Sequence, residues 1–286
     1  MTLKELYNKV TEILEKAGVD SPAFEATWLI NAEIPCDRLR LISEGDTPVS
    51  KEAEDKIFVL AERRAEGEPL QYIIGEWEFF GNKYYVGEGV LIPRDDTEVA
   101  LTSTFPYLDS IKDREDLKIL DLCSGSGILA ISLKLRYKNA QVTAVEISDL
   151  ALPYLQKNAK ENKADIRIIH DDIFNCAEDF SDGEFDLIIS NPPYVTDEDM
   201  ETLQREVRYE PSLALAGGVD GLTFYRRIIP LYTRKLKQGG MLCFEYDAQQ
   251  AESISAMMND AGFVNIQVFD DIGGVHRAIN GTLQKN

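Results

Sequence analysis

The chain has 286 residues, room for one large domain and a small one, and its 44% hydrophobic and 28% charged residues are those of an ordinary soluble protein. A formal charge of −20 without any long Lys/Arg run argues against a nucleic-acid backbone as the partner. No apolar run approaches the roughly 20 residues of a membrane span, and the early acids of Met1–Tyr7 do not read as a signal peptide.

Up to about residue 67 the pattern is helical. Thr2-Leu-Lys-Glu5 is a capping box, followed by Leu3, Leu6, Val10, Ile13 and Leu14 at helical spacing and by Gly18 as a stop. Ser21-Pro22 reads as an N-cap with proline in the first turn, and a short helix is expected around Asp37–Ser43. Ser50 caps a longer helix that Gly67 and Pro69 end. Residues 1–70 are therefore expected to form a small helical bundle. Tyr72 to Val86 carries aromatic and β-branched residues around Gly81-Asn82, which reads as a hairpin turn, so 71–92 is expected to be a linking β-hairpin. Val90–Glu98 then leads into a helix from about Thr97.

From Leu117 strands and helices alternate, the pattern of a doubly wound parallel sheet over 93–286. The expected strands are Lys118–Cys123, Gln141–Ile147, Ile166–Ile169, Phe185–Ser190, Gly240–Tyr246, Phe263–Phe269 and His276–Gly281. The expected helices are Ile128–Leu135, Ala151–Lys160, Gly221–Lys237 and Gln249–Asp260. Four cysteines (Cys36, Cys123, Cys176, Cys243) lie far apart without a C-x-x-C pair, and there are only two histidines. No metal site or disulfide framework is expected, and the thiols suit a cytoplasmic protein.

Two stretches carry chemistry. Between the first strand and helix of the sheet lies Asp121-Leu-Cys123-Ser124-Gly125-Ser126-Gly127. Its glycines let the backbone approach a ligand at a helix N-terminus, and Glu146, at the end of the next strand, can accept both hydroxyls of a ribose. An adenosine-type ligand follows. Gly125-x-Gly127-x-x-Ala130 also satisfies the dinucleotide fingerprint, but Asp121 is expected where an acid meets a cation rather than a pyrophosphate. The second stretch is Ser190-Asn191-Pro192-Pro193-Tyr194, where an apolar strand stops at two prolines. The side-chain oxygen of Asn191, the Pro192 carbonyl and the Tyr194 ring suit a planar NH2 group. With S-adenosylmethionine as donor, such a clamp fixes an amide nitrogen, or the exocyclic amine of adenine, facing a methyl already activated for transfer.

Together these motifs resemble the release-factor glutamine methyltransferases, the HemK/PrmC family. The likeness runs over nearly the whole chain. Its narrower pieces are Leu70–Gly75 with Phe79-Phe80-Gly81, Val90–Arg94 with Thr97-Glu98, Tyr209-Glu-Pro211, Leu213–Gly218 and Asp220-Gly-Leu222. The resemblance implies a class I S-adenosylmethionine-dependent methyltransferase domain, Rossmann-like and doubly wound. It implies N5-methylation of the glutamine in the Gly-Gly-Gln loop of class-1 peptide chain release factors, and a helical bundle that docks the release factor. It places cofactor contacts at Asp121, Cys123, Ser124, Gly125, Ser126, Gly127, Glu146, Asp172, Ile173 and Asn191. It places the glutamine pocket at Asn191, Pro192, Pro193 and Tyr194, with Asn191, Pro192 and Tyr194 catalytic. The sequence departs from the family pattern at Cys123, where glycine is usual, at Asp95, at Ile173 and at Asp247 in Glu245–Gln249. The alternative is a nucleic-acid methyltransferase of the adenine-N6 type, which would want a basic target domain where this bundle is acidic. A vestigial cofactor-binding protein and a dehydrogenase are the remaining rivals. A cytoplasmic monomer that binds neither nucleic acid nor membrane is expected.

Overall fold

The computed structural model describes residues 1–284. The chain divides into two compact units, Met1–Glu76 with Gln204–Tyr209, and Trp77–Leu203 with the chain from Glu210 onward.

The first unit is helical: α1 (Leu3–Lys16), α2 (Pro22–Asn31), α3 (Arg38–Ser43), α4 (Lys51–Ala65) and α5 (Leu70–Ile74). The capping box at Thr2 forms, and Leu3, Leu6, Val10 and Leu14 are buried along one face of α1. Asp37 and Ser50 cap α3 and α4 through their side chains. Ser21 stands at the cap position of α2 but makes no capping bond. Its ψ of 60°, against 163° at Thr2 and 149° at Ser50, departs from the extended backbone of a capping residue. Tyr72–Ile74, which the strand-like composition assigned to the hairpin, form the last helix, closed by Gly75 at φ 80°. Buried Arg64 pairs with Glu25 at 2.5 Å and with Glu206 at 2.9 Å, so Gln204–Tyr209 is tied to α2 and α4 through one guanidinium. Removing either carboxylate leaves a largely buried cation short of a partner, which is strongly destabilising.

The second unit opens with a hairpin, β1 (Glu76–Phe79) and β2 (Asn82–Tyr85). Its turn is Phe80-Gly81, one residue earlier than expected. Both central residues have positive φ (48° and 72°), as a two-residue hairpin loop requires. Phe80 tolerates this because its N–H donates to Glu98 (3.0 Å), its carbonyl accepts from Asn82 Nδ2 (3.0 Å), and its ring packs edge-on against Phe105. Then follow α6 (Thr97–Ser103), α7 (Phe105–Ile111), β3 (Lys118–Leu122), α8 (Ile128–Arg136), β4 (Gln141–Glu146), α9 (Leu152–Glu161), β5 (Arg167–His170), β6 (Phe185–Ser190), β7 (Val195–Thr196), α10 (Asp197–Thr202), α11 (Ser212–Leu215), β8 (Ala216–Gly218), α12 (Thr223–Thr233), β9 (Leu236–Glu245), α13 (Ala251–Asp260), β10 (Phe263–Asp270) and β11 (His276–Leu283).

Seven strands form the main sheet in the order β10-β11-β9-β6-β3-β4-β5. It is not wholly parallel: β11 runs antiparallel to both β9 and β10, and the remaining pairs are parallel. Helix α12 ends at Thr233 rather than Lys237, because Leu236 is buried in the sheet opposite Phe185. From β3 the chain winds outward through β4 and β5, then returns to the other side of β3 as β6. That reversal makes the carboxyl ends of β3 and β6 a topological switch point, where open α/β sheets bind ligands.

Candidate active site

At that switch point Leu122 and Ser190 are register neighbours, and the Ser190 hydroxyl donates to the Leu122 carbonyl at 2.7 Å. The segments that continue the two strands, the glycine loop and Asn191–Tyr194, therefore start side by side.

The loop is held from beneath by β4. Ser124 N–H donates to the Val145 carbonyl (3.0 Å) and Gly125 N–H to Glu146 Oε2 (2.7 Å). The other Glu146 oxygen accepts from Ser148 N–H at 2.7 Å. Each carboxylate oxygen thus takes one backbone donor and keeps lone pairs for further hydroxyls. Asn158, fully buried on α9, donates to the Ser126 carbonyl at 2.9 Å and exchanges hydrogen bonds with the backbone of Tyr85, which fixes the hairpin to the loop. Cys123 sits at φ 60°, the left-handed region where a Cβ is strained.

A cavity of about 260 Å³ opens above the loop. Its wall includes Cys123, Ser124, Gly125, Ser126, Glu146, Asp172, Ile173, Asn191 and Pro193, nine of the residues expected from sequence. Apolar wall comes from Leu91, Ile128, Ile147, Phe174 and Phe224, none of which was expected as a site residue. Arg227 stacks on Phe174 with its guanidinium carbon 3.3 Å from the ring centroid.

Four expected residues are not on the wall. Gly127 packs inward: a Cβ there would lie 2.4 Å from Leu155 Cδ1, so its glycine serves the close approach of α9 to the loop. Pro192 is buried beneath the turn. Asp121 differs most from its expected role of meeting a cation. It is 0% exposed, and its Oδ2 accepts from Ala130 N–H at 3.1 Å, inside α8. Its Oδ1 has no partner, and burial pushes the carboxyl up to about 7, against the nearby Ser124 hydroxyl, which favours the charged form.

Tyr194, the fourth, is gripped rather than displayed. A Cβ on Gly217 would stand 2.6 Å from Tyr194 Cα, and one on Gly221 2.3 Å from the Tyr194 carbonyl oxygen. That carbonyl accepts from Gln250 Nε2 at 2.9 Å. Gly217 and Gly221 thus have a physical reason: only glycines let β8 and the following turn lie against the backbone of Tyr194. The Tyr194 hydroxyl donates to Glu245 Oε1 at 3.3 Å.

Asn191 is half-buried, its Nδ2 donating to Thr97 Oγ1 at 3.4 Å. With the amino side so engaged, Oδ1 is the end of the amide left for a ligand donor. The strap before Thr97 is held by Glu210, which is buried, accepts from Ile92 N–H at 2.9 Å and pairs with Arg94. These pairs account for the Val90–Arg94 and Tyr-Glu-Pro motifs. The residues suit an adenosyl ligand: a carboxylate with free lone pairs, a glycine (Gly125) whose Cβ direction is open space, and apolar wall for a base.

Comparison with known proteins accords with this geometry. Residues 5–75 match the PrmC N-terminal domain, and residues 101–210 match the Methyltransferase small domain. A release factor glutamine methyltransferase of Geobacter sulfurreducens is 37% identical over 99% of this chain and 97% of its own length. The chain belongs to the release factor glutamine methyltransferase family. A family member of Thermodesulfovibrio yellowstonii is 36% identical over 98% of both chains. A solved methyltransferase of Pyrococcus furiosus, 16% identical, shares the fold over 72% of this chain and 91% of its own, with a TM-score of 0.50. Among the described residues no helix is long and apolar enough to cross a membrane.

Proposed function

We propose that this chain transfers a methyl group from S-adenosylmethionine to the side-chain nitrogen of the glutamine in the Gly-Gly-Gln loop of class-1 peptide chain release factors. The reading rests on family membership over the full length and on one observation of geometry: Asn191, its amino side turned to Thr97, borders the cavity next to the glycine loop.

Glu146 and the Ser124–Ser126 backbone hold the adenosyl part of the donor, with Ile173 and Phe174 as apolar wall. When bound, S-adenosylmethionine supplies a methyl already activated by its sulfonium. An amide nitrogen is a poor nucleophile because its lone pair is delocalised into the carbonyl. Asn191 Oδ1 and the Pro192 carbonyl each accept one of its N–H groups and fix its orientation. Both bonds strengthen as positive charge develops on that nitrogen, so they lower the barrier rather than only tightening binding. The surplus proton leaves to water afterwards, and no side chain is required as base. Tyr194, held through its backbone carbonyl and its hydroxyl, stiffens the turn that carries Asn191.

The helical unit, which includes α5, docks the release factor, and the unit of the main sheet carries the chemistry. A monomer is the proposed acting species, and a release-factor substrate suits a cytoplasmic protein. Incubation with a purified class-1 release factor and labelled S-adenosylmethionine tests the reading. Label enters the wild-type factor and not one whose loop glutamine is replaced; equal labelling of both, or of neither, contradicts it.

A further inference from the structure

Strand order decides which side of the cavity is left for a base. From β6 through β3 and β4 to β5, the groups beyond the strand ends are Asn191, the glycine loop, Glu146 and the turn Asp172-Ile173-Phe174. An adenosyl ligand with its ribose on Glu146 and its methyl toward Asn191 has the side of β5 left for its adenine.

The turn after β5 is tightly held. Asp172 Oδ1 accepts from Phe174 N–H at 2.8 Å, and the Asp172 carbonyl accepts from the Asn175 and Cys176 N–H groups at 2.9 and 3.0 Å. The Tyr232 hydroxyl, on α12, donates to the Ile173 carbonyl and ties that helix to the turn. On the cavity wall the Phe174 ring lies 5.8 Å from the Phe224 ring, centroid to centroid, and carries the Arg227 guanidinium carbon 3.3 Å from its own centroid. Arg226, one position earlier, pairs with Asp220, but among the described residues Arg227 pairs with no carboxylate. The group its charge meets is the Phe174 ring. A planar guanidinium over an aromatic face is attracted by the ring quadrupole and holds the plane of the ring, on which contact with a base depends.

We propose that Arg227, acting through the Phe174 ring, is a positioning residue for the adenine end of S-adenosylmethionine. It sets how tightly the donor is held and takes no part in methyl transfer. The proposal rests on the reading of Glu146 and the glycine loop as the adenosyl site.

The test is calorimetry on the full-length enzyme with S-adenosylmethionine, S-adenosylhomocysteine and 5′-methylthioadenosine, which share the adenosine end; the last lacks the amino-acid end. Arg227→Ala weakens all of them by one common factor, about 3- to 10-fold. With a purified class-1 release factor it raises KM for S-adenosylmethionine by a similar factor and leaves kcat within about twofold. Arg227 is exposed, and the buried face of α12 is made by Tyr225, Ile228, Ile229 and Tyr232, so the substitution spares the core. Arg227→Lys, which keeps the cation, recovers most of the affinity, and Arg227→Gln, which does not, fails to. In a Phe174→Leu background Arg227→Ala costs less than about twofold more, since the ring it acts through is gone. Unchanged affinity for 5′-methylthioadenosine in Arg227→Ala overturns the proposal; if only the two compounds with an amino-acid end lose affinity, Arg227 meets their carboxylate instead. Losses in Arg227→Ala and Phe174→Leu that multiply in full overturn it too. A wild-type enzyme that binds none of the compounds overturns the reading of the site beneath it.

Discussion

Ser190 and Leu122 face each other at the ends of two adjacent parallel strands, joined by a 2.7 Å hydrogen bond from the Ser190 hydroxyl to the Leu122 carbonyl. The bond fixes the relative height of the two loops that build the site. Ser190→Ala removes it from a fully buried position and is expected to cost about 1–2 kcal/mol in urea unfolding. The turnover loss at saturating substrate should exceed what unfolding explains, because the two loops lose their common anchor. Unchanged kcat would show that the strands alone set the height.

The glycines behind Tyr194 give a second prediction. Gly221→Ala puts a methyl 2.3 Å from the Tyr194 carbonyl, at a residue with φ 70°, so backbone must move. Turnover should fall at least about tenfold as the Asn191–Tyr194 turn shifts. Gly183→Ala is the matched control: its φ of 68° is similarly left-handed, but nothing lies within 4 Å of the added methyl. It should cost about 1–2 kcal/mol in stability and leave kcat alone.

Cys123 occupies a left-handed position, φ 60°, where any Cβ is strained. Cys123→Gly is expected to hold stability within about 1 kcal/mol of the parent, relief of backbone strain offsetting the freer unfolded chain. Activity should be retained. Cys123→Val, β-branched at the same φ, should lose more than about 2 kcal/mol. Differential scanning calorimetry of the three proteins ranks them.

Two buried carboxyls make stability fall with rising pH. Burial pushes Asp121 from 3.8 and Glu245 from 4.5 up to about 7 each. Between those ordinary values and about 7, the folded chain keeps protons that the unfolded chain releases. Their contribution is complete at the acid end of that window and is lost as pH rises through about 7. Chemical denaturation should therefore give a larger unfolding free energy at about pH 6 than at about pH 8. Asp121→Asn should flatten the difference, since the amide does not titrate. A profile that rises from pH 6 to 8 would contradict this.

Much of the site was legible in the sequence. The alternation of strands and helices, the glycine loop and the proline-stopped strand each follow from local backbone chemistry, and nine expected residues border one cavity. What sequence could not convey is which face of a motif a neighbour occupies. Asp121 reads like a ligand contact, yet it bonds the start of α8 because the strand end is covered. Gly127 reads like a glycine that lets the backbone approach a ligand, yet Leu155 occupies the space its Cβ would take. The hairpin turn fell one residue early because Glu98, remote in sequence, takes the Phe80 N–H. Phe224 escaped notice because an aromatic at helical spacing looks like any core residue, and Phe174 and Arg227 because a turn and a helix remote in sequence meet only in the fold. Thr97 was visible as a letter of a family motif, but its meeting with Asn191, 94 residues further on, is set by the tertiary fold.

The central claim is that Asn191 presents an amide oxygen to the substrate nitrogen, and Asn191→Ala tests it most directly. Single-turnover methyl transfer to a purified release factor should slow by about 100-fold or more, as for loss of a preorganised transition-state acceptor. S-adenosylmethionine affinity, measured by calorimetry on the same protein, should change by less than about threefold, because Glu146 and the glycine loop remain. Transfer and cofactor affinity falling by the same factor would make Asn191 a cofactor ligand and contradict the account.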